Sequence, residues 1–104
     1  MNRKDFISKI REAIQKLEPE AEIYLFGSRA RGDFNSESDW DILIVSPQKK
    51  ITFDYEIKLR EPLFNLELET GEIISLIIYT SKDWKTKKSI SPLFSNVLKE
   101  GVKI

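Results

Sequence analysis

Apolar residues recur at three- and four-residue steps near the start of the chain. Such spacing lines one face of a helix. We therefore predict a helix from Arg3 to Leu17, with Asn2 as its cap and Pro19 beyond its end. The positions that form the predicted buried stripe are Phe6, Ile7, Ile10, Ala13, Ile14 and Leu17.

Three predominantly apolar runs further along predict strands, over residues 21–26, 40–45 and 73–79. Pro47 follows the second run and ends it, because a proline cannot donate to a strand ladder. The third run is rich in β-branched residues, so we expect a central strand covered on both faces.

Helical or turn-like segments separate these runs. We predict a short helix over 28–31, a polar loop over 32–38, and a helix over 54–68 that Pro62 kinks or splits. Ile57, Phe64 and Leu68 are among the apolar positions of that helix. A turn or helix over 81–88 follows, then a last helix that begins at Ser91-Pro92 and stops at Gly101. Residues 102–104 suit a short edge strand.

The alternation of strands and helices predicts one α/β domain over residues 1–104, with a small sheet flanked by helices. Strand order and handedness do not follow from the pattern. The chain has 17 basic and 17 acidic residues, so broad non-specific nucleic-acid binding is disfavoured. It has no cysteine and no histidine, which excludes disulfides, Cys/His zinc sites and histidine catalysis. No apolar run has membrane length, and we expect a soluble cytoplasmic protein without membrane contact.

Candidate chemistry lies between the first two predicted strands. Asp39 and Asp41 are two residues apart at a strand start, so they share one face while Trp40 occupies the other. Two carboxylates roughly 6 Å apart repel by about 3 kcal/mol, which a wet site or a divalent cation relieves. Mg²⁺ suits such a pair when it also binds substrate phosphates.

The Gly27-Ser28 turn supplies the second half of this candidate site. Gly27 allows a close approach of the backbone to a ligand, and the helix start at Ser28 offers N–H groups to an anion. Arg29 and Arg31 add cationic donors nearby. No Gly-Lys-Ser/Thr follows, so the turn is not a P-loop.

These residues resemble the motif of the polymerase-beta-type nucleotidyltransferase superfamily. The resemblance rests on Gly27-Ser28, Gly32 and Ser38-Asp39-x-Asp41 followed by an aliphatic strand, and it is closest to the minimal nucleotidyltransferases. It implies a polymerase-beta palm-like core. It also implies phosphate contacts from Gly27 and Ser28, with Ser38 in the nucleotide-binding set, and Mg²⁺ held by Asp39 and Asp41.

The activity that the resemblance implies is transfer of a nucleoside monophosphate, AMP from ATP, to a hydroxyl acceptor. Minimal nucleotidyltransferases are often encoded beside a HEPN-type protein, so a partner of that type is expected. A chain of this length has little room for an acceptor-binding lobe, which also favours a partner.

The superfamily places a third carboxylate on the strand after the next helix, and Ser75 occupies that position here. A serine hydroxyl is a weaker Mg²⁺ ligand and no base at neutral pH. Glu67, Glu69 and Glu72 remain alternative sources of the carboxylate. Three hypotheses therefore stay open. The chain is an active transferase, or an antitoxin-like module with a degenerate nucleotide site that acts by binding its partner, or a structural α/β domain that binds no ligand.

Overall fold

The computed structural model describes residues 2–87 and 91–104. Its elements, in chain order, are α1 Arg3–Leu17, β1 Glu22–Phe26, α2 Ser28–Arg31, β2 Trp40–Ser46, α3 Phe53–Thr70, β3 Ile74–Thr80, α4 Ser81–Lys87, α5 Pro92–Glu100 and β4 Val102–Lys103. The predicted α/β architecture is confirmed, including the short terminal strand. Lys88, at the end of the predicted helix over 81–88, lies outside the described residues.

The four strands form one mixed sheet in the order β3-β2-β1-β4. β1 pairs antiparallel with β2 and with β4, whereas β2 and β3 are parallel. The prediction that β3 is central was wrong: β3 lies at the edge of the sheet. Its apolar character has another cause, because Leu63 and Leu66 of α3 pack on one of its faces and Trp84 of α4 packs on the other.

Side chains of the sheet alternate between two apolar clusters, as strand geometry requires. On one face, α1 and α3 cover inward residues of β1 and β2 that include Ile23, Leu25, Ile42 and Ile44. On the other face, Leu43 and Val45 pack with Trp84 of α4 and Phe94 of α5. The sheet is therefore covered on both sides, and polar side chains on β2 concentrate near its two ends.

Helix α3 continues through Pro62 as one element, so the predicted split did not occur. Thr52 caps its start by accepting from the Tyr55 amide, and Gly71 ends it with a φ of +78°. Its buried residues are Leu59, Leu63 and Leu66. The apolar positions named from the sequence, Ile57, Phe64 and Leu68, are exposed instead. The helix therefore carries two apolar stripes, of which one faces the core.

Candidate active site

The turn after β1 and the carboxylate of Asp41 lie against each other. Gly27 has a φ of +74°, which favours glycine. A Cβ at this position would overlap Asp41 Oδ2 and lie 3.1 Å from Asp41 Cγ. A side chain at residue 27 is therefore strained by the backbone conformation, and it would also require the Asp41 carboxylate to move. The condition on which the sequence interpretation depended, that turn and acid meet in one place, is met for Asp41.

Strand register produces this contact. Phe26, the last residue of β1, is the partner of Asp41 at the start of β2. The chain turns immediately after Phe26, so Gly27 stands beside the Asp41 side chain. Gly27 also begins α2 without a side-chain cap, and the amides of Ala30 and Arg31 bond to its carbonyl oxygen. The first amides of α2 thus receive no side-chain acceptor from the N-cap.

The carboxyl of Asp41 is partly buried, and its surroundings shift its pKa. Burial raises the pKa of its carboxyl above the ordinary value, and the negative charge of Asp39 raises it further, while Arg31 lowers it. Asp39 itself is exposed and precedes β2. The two aspartates are close enough to repel, which is the arrangement that a divalent cation stabilises.

Arg31 is the cation whose charge reaches Asp41. Its guanidinium lies 3.3 Å from Asp33 and donates to Glu100 of α5 across 2.9 Å. These carboxylates raise the pKa of Arg31. Glu100 ties α2 to α5 beside the candidate site, a contact that sequence reasoning missed because 69 positions separate the two residues.

Arg29 and Ser38, two of the predicted nucleotide-binding residues, contact each other. The Arg29 guanidinium donates to the Ser38 carbonyl across 2.9 and 3.2 Å and lies 3.4 Å from Glu72. It is 6% exposed and lies between the rings of Phe34 and Trp40. Because Trp40 points to the sheet face opposite Asp41, these contacts hold the loop rather than face the acid.

The hydroxyl of Ser38 also serves the loop, since it accepts from the Asn35 amide across 3.0 Å. Trp40 is buried against Phe6, and Trp84 is buried against Phe94. Both tryptophans therefore pack in the core, as the chemistry of large apolar rings favours.

Ser75 is the register partner of Asp41 on the neighbouring parallel strand. Paired residues point to the same face, and Ser75 is exposed there. None of the three alternative glutamates takes its place. Glu72 accepts from the Trp40 indole, and Glu67 accepts from the Ile74 amide. Glu69 of α3 lines a groove that α3 forms with α1. Within residues 2–87 and 91–104, no group of three acidic, histidine or cysteine side chains could hold a metal ion.

The donor set thus fits one cation bound jointly by Asp39, Asp41 and a ligand's phosphates, and it does not fit a three-carboxylate site. Carboxylate oxygens are the ligands that Mg²⁺ prefers, and Mg²⁺ commonly takes only one or two from the protein.

Across the described part of the chain, none of the helices combines the length and apolarity that crossing a membrane requires.

Comparisons with known proteins identify relatives of this chain. A family model described as a nucleotidyltransferase domain matches residues 7–101. A protein of Methanocaldococcus jannaschii named "putative protein adenylyltransferase" is 43% identical over 94 residues, which cover 90% of this chain and 81% of that protein.

Solved structures show the same fold. A structure of a "putative minimal nucleotidyltransferase" superimposes with a TM-score of 0.64 at 20% identity, over 100% of this chain and 97% of that one. A crystal structure of a toxin-antitoxin with AMP-PNP gives a TM-score of 0.59 at 23% identity, over 99% and 72% of the two chains. The family model and the archaeal relative together are decisive: the chain belongs to the nucleotidyltransferase domain family.

Proposed function

We propose that this chain transfers AMP from a Mg²⁺-bound nucleoside triphosphate, ATP, to a hydroxyl group of a partner protein, releasing pyrophosphate. The observation that carries the proposal is the contact between Asp41 and the Gly27 turn. A triphosphate needs donors for its oxygens and a cation for its charge, and this contact puts candidates for both at one point. The name of the archaeal relative, "putative protein adenylyltransferase", supports a protein acceptor.

In this proposal Gly27, Ser28 and Arg31 bind phosphate oxygens, while Asp39 and Asp41 hold the cation. Mg²⁺ would neutralise the phosphates and polarise the bond that breaks. Arg31 suits its part because its charge already acts at Asp41 and its side chain is 43% exposed. We assign Arg29 and Ser38 an indirect part, because their contacts hold the loop that carries Asp39.

The test is a transfer assay with labelled nucleoside triphosphates, Mg²⁺ and a HEPN-type partner as acceptor. We expect label from ATP on the partner, at least about 100-fold less with Asp41→Asn, since loss of a charge-stabilising group commonly costs that much. Asp83→Asn, on α4, removes the same charge elsewhere and should leave transfer unchanged. Equal labelling by wild type and Asp41→Asn would reject the proposal.

Ser75 favours a second candidate function, in which the chain neutralises a toxin-like partner by binding alone. Because a serine is in register with Asp41, the site has only two carboxylates. Activation of the attacking hydroxyl by a second metal ion would require a further carboxylate ligand. The toxin-antitoxin complex among the structural neighbours supports a partner of this kind. Under this reading Asp39→Asn and Asp41→Asn keep both partner binding and neutralisation, whereas under the first proposal neutralisation is lost and binding survives.

A further inference from the structure

A cavity lies beside the loop over residues 32–39, where the start of α1 meets the end of α3. Its volume is about 540 Å³, and sites for small organic molecules span roughly 300–1,000 Å³. None of the residues that we propose to bind phosphate or the cation lines it, so the cavity is separate from the candidate active site. Its lining includes Arg3, Phe6, Arg29, Trp40, Glu69 and Glu72.

The buried cation of the cavity wall, Arg29, has donors that no protein group uses. Arg29 is 6% exposed, and its Nε and Nη2 donate to the Ser38 carbonyl. Its Nη1 donates to no group in the described part of the chain. No buried side-chain nitrogen of the described residues lacks a hydrogen-bond partner, so Nη1 is in contact with open space. The cavity is the space that Arg29 lines, and Nη1 is therefore available to a ligand there.

Arg3 places a second guanidinium on the same side of the cavity. Its Nη2 donates to the Arg29 carbonyl across 2.9 Å. The two guanidinium carbons lie 5.8 and 4.6 Å from the centre of the Phe34 ring, so both cations gather around this ring. Two adjacent guanidinium groups with free donors suit a carboxylate, which accepts from several N–H groups at once.

The acidic residues of the lining differ in what they already contact. Glu72 lies 3.4 Å from Arg29 and accepts from the Trp40 indole. Glu69 is exposed, and neither it nor Arg3 belongs to an ion pair among residues 2–87 and 91–104. The charges that a ligand can still pair with are therefore the positive charge of Arg3 and the negative charge of Glu69.

These charges distinguish between classes of ligand. A phosphate-type anion would meet the glutamates as well as the arginines, and a polyamine would meet the arginines as well as the glutamates. A zwitterion satisfies both signs, with its carboxylate on the guanidinium groups and its ammonium on Glu69. Phe6 and Trp40 are 2% and 3% exposed, with ring centroids 4.7 Å apart, and they give the wall an apolar part.

We propose that this cavity binds a zwitterion with an apolar side chain, which is a free amino acid or a short peptide. The carboxylate of the ligand binds Arg3 and Nη1 of Arg29, its ammonium binds Glu69, and its side chain packs against Phe6 and Trp40. Binding requires no nucleotide. A failure of this proposal would therefore leave the proposed AMP transfer untouched, and a failure of transfer would leave this proposal untouched.

The first test is isothermal titration calorimetry of the full chain with L-leucine, L-phenylalanine and the dipeptide leucyl-phenylalanine. We expect a Kd of about 1 mM or lower for at least one of them. The amide of that ligand lacks the carboxylate, and its N-acetyl form lacks the ammonium. Each should bind at least about tenfold more weakly, because one charge-assisted contact is lost. Comparing the amino acids with the dipeptide identifies which source of the zwitterion fits.

The second test removes the two available charges of the cavity separately. Arg3→Gln and Glu69→Gln should each weaken the tightest ligand at least about tenfold. Lys4→Gln on α1 and Glu61→Gln on α3 are the matched controls, because both residues are exposed and lie outside the lining. They should bind as the wild type does, and circular dichroism should show all four variants folded.

The indole N–H signals in a ¹⁵N-correlated NMR spectrum locate the bound ligand. Trp40 lines the cavity, whereas Trp84 packs in the apolar cluster on the other face of the sheet. The Trp40 signal should move on saturation with ligand and the Trp84 signal should not. The proposal is overturned if none of the three ligands binds at roughly 10 mM. It is equally overturned if both charge variants bind as the wild type does, or if the Trp40 signal stays in place.

Discussion

Gly27 satisfies a conformational and a spatial requirement at once, because its φ is +74° and Asp41 Oδ2 occupies the place of its missing side chain. Gly71 shares the first requirement and lacks the second: its φ is +78° and nothing lies within 4 Å of where a Cβ would be. Substituting the two glycines separately therefore distinguishes the cost of a left-handed backbone conformation, present at both positions, from the cost of steric overlap, present only at Gly27.

We expect Gly71→Ala to lower the free energy of unfolding by about 1 kcal/mol, which is the usual cost of that conformation. Gly27→Ala should cost about 2–4 kcal/mol, because the methyl group also displaces the Asp41 carboxylate. Chemical denaturation measures both values. The Mg²⁺-nucleotide-dependent rise in Tm should persist in Gly71→Ala and disappear in Gly27→Ala. Equal costs for both variants would contradict the close contact between Gly27 and Asp41.

The ionised carboxylate of Asp41 should favour cation binding but lower the free energy of unfolding. Because the folded pKa of this carboxyl is raised, its contribution to stability is full below the unfolded pKa and is lost as pH rises through the folded value. At pH 7 the ionised group is therefore unfavourable to the fold. Asp41→Asn should raise stability at pH 7 by on the order of 1 kcal/mol or less, given partial exposure.

That gain should shrink as pH falls through the raised folded pKa, and it should be absent below the ordinary aspartate pKa of about 3.9, where the wild-type carboxyl is neutral in both the folded and the unfolded chain. The same variant should lose the Tm increase that Mg²⁺ and ATP give the wild type. Thermal melts at pH 7 and pH 3.5, with and without nucleotide, measure both effects. A variant that is less stable at pH 7, or one that still responds to Mg²⁺-ATP, would argue against this account.

At the scale of elements, the segment between α2 and β2 is held by one guanidinium. The Arg29 guanidinium donates to the Ser38 carbonyl. It also stacks on the ring of Phe34 in the loop and on the ring of Trp40 at the start of β2. The loop that carries Asp39 thus packs around the buried guanidinium of Arg29. Its position relative to Asp41 depends on this side chain.

Arg29→Ala should lower the free energy of unfolding by about 2–4 kcal/mol, because it removes cation–π contacts and leaves the Ser38 carbonyl without its donor. Arg29→Lys should recover little, because an ammonium cannot stack and bond in one plane. Arg11→Ala, on the exposed side of α1, is the matched control and should change stability by less than about 0.5 kcal/mol. Denaturant titration tests all three, and full rescue by lysine would show that charge alone is sufficient.

At the scale of the whole molecule, the sheet brings together residues that are far apart in sequence. The parallel pairing of β2 with β3 puts Ser75 beside Asp41, although a helix of 18 residues lies between their strands. The candidate site therefore lies where the end of β1, the start of β2 and strand β3 meet. A carboxylate at residue 75 would complete an acidic cluster on one face.

Ser75→Asp should lower stability without metal by about 1 kcal/mol or less, because it adds a like charge at an exposed position beside Asp41. Mg²⁺ should reverse this loss and raise Tm more than it does in the wild type. Gln15→Glu adds the same charge on exposed α1 and should show no such reversal. Melting curves with and without Mg²⁺ decide the matter: identical metal responses would mean that position 75 does not face the cation. Increased AMP transfer by Ser75→Asp would further indicate a decayed enzyme.

Local signals were sufficient for much of the fold. Asn2 caps α1 as predicted, and Gly71 ends α3 as its residue type favours. Thr52 caps the start of α3, although no cap was predicted there. Periodicity also located α1 and most of its buried stripe, but the prediction that Leu17 belongs to the stripe was wrong, because this last residue of the helix is 47% exposed. It failed for β3, because coverage by helices on both faces makes an edge strand as apolar as a central one. It also could not show which apolar stripe of α3 faces the core, since periodicity does not distinguish a buried stripe from an exposed one.

By itself, the sequence determined which residues could carry chemistry. They are a glycine that can adopt a positive φ and two aspartates whose paired charges favour a bound cation or solvent. The lack of histidine and cysteine excluded other chemistries. These are properties of residue types and short spacings. Only the tertiary structure decided that Asp41 touches the turn, that Arg29 supports the loop, and that Ser75 stands where a third carboxylate was sought. Such contacts depend on strand register and packing between distant segments, which no local pattern encodes.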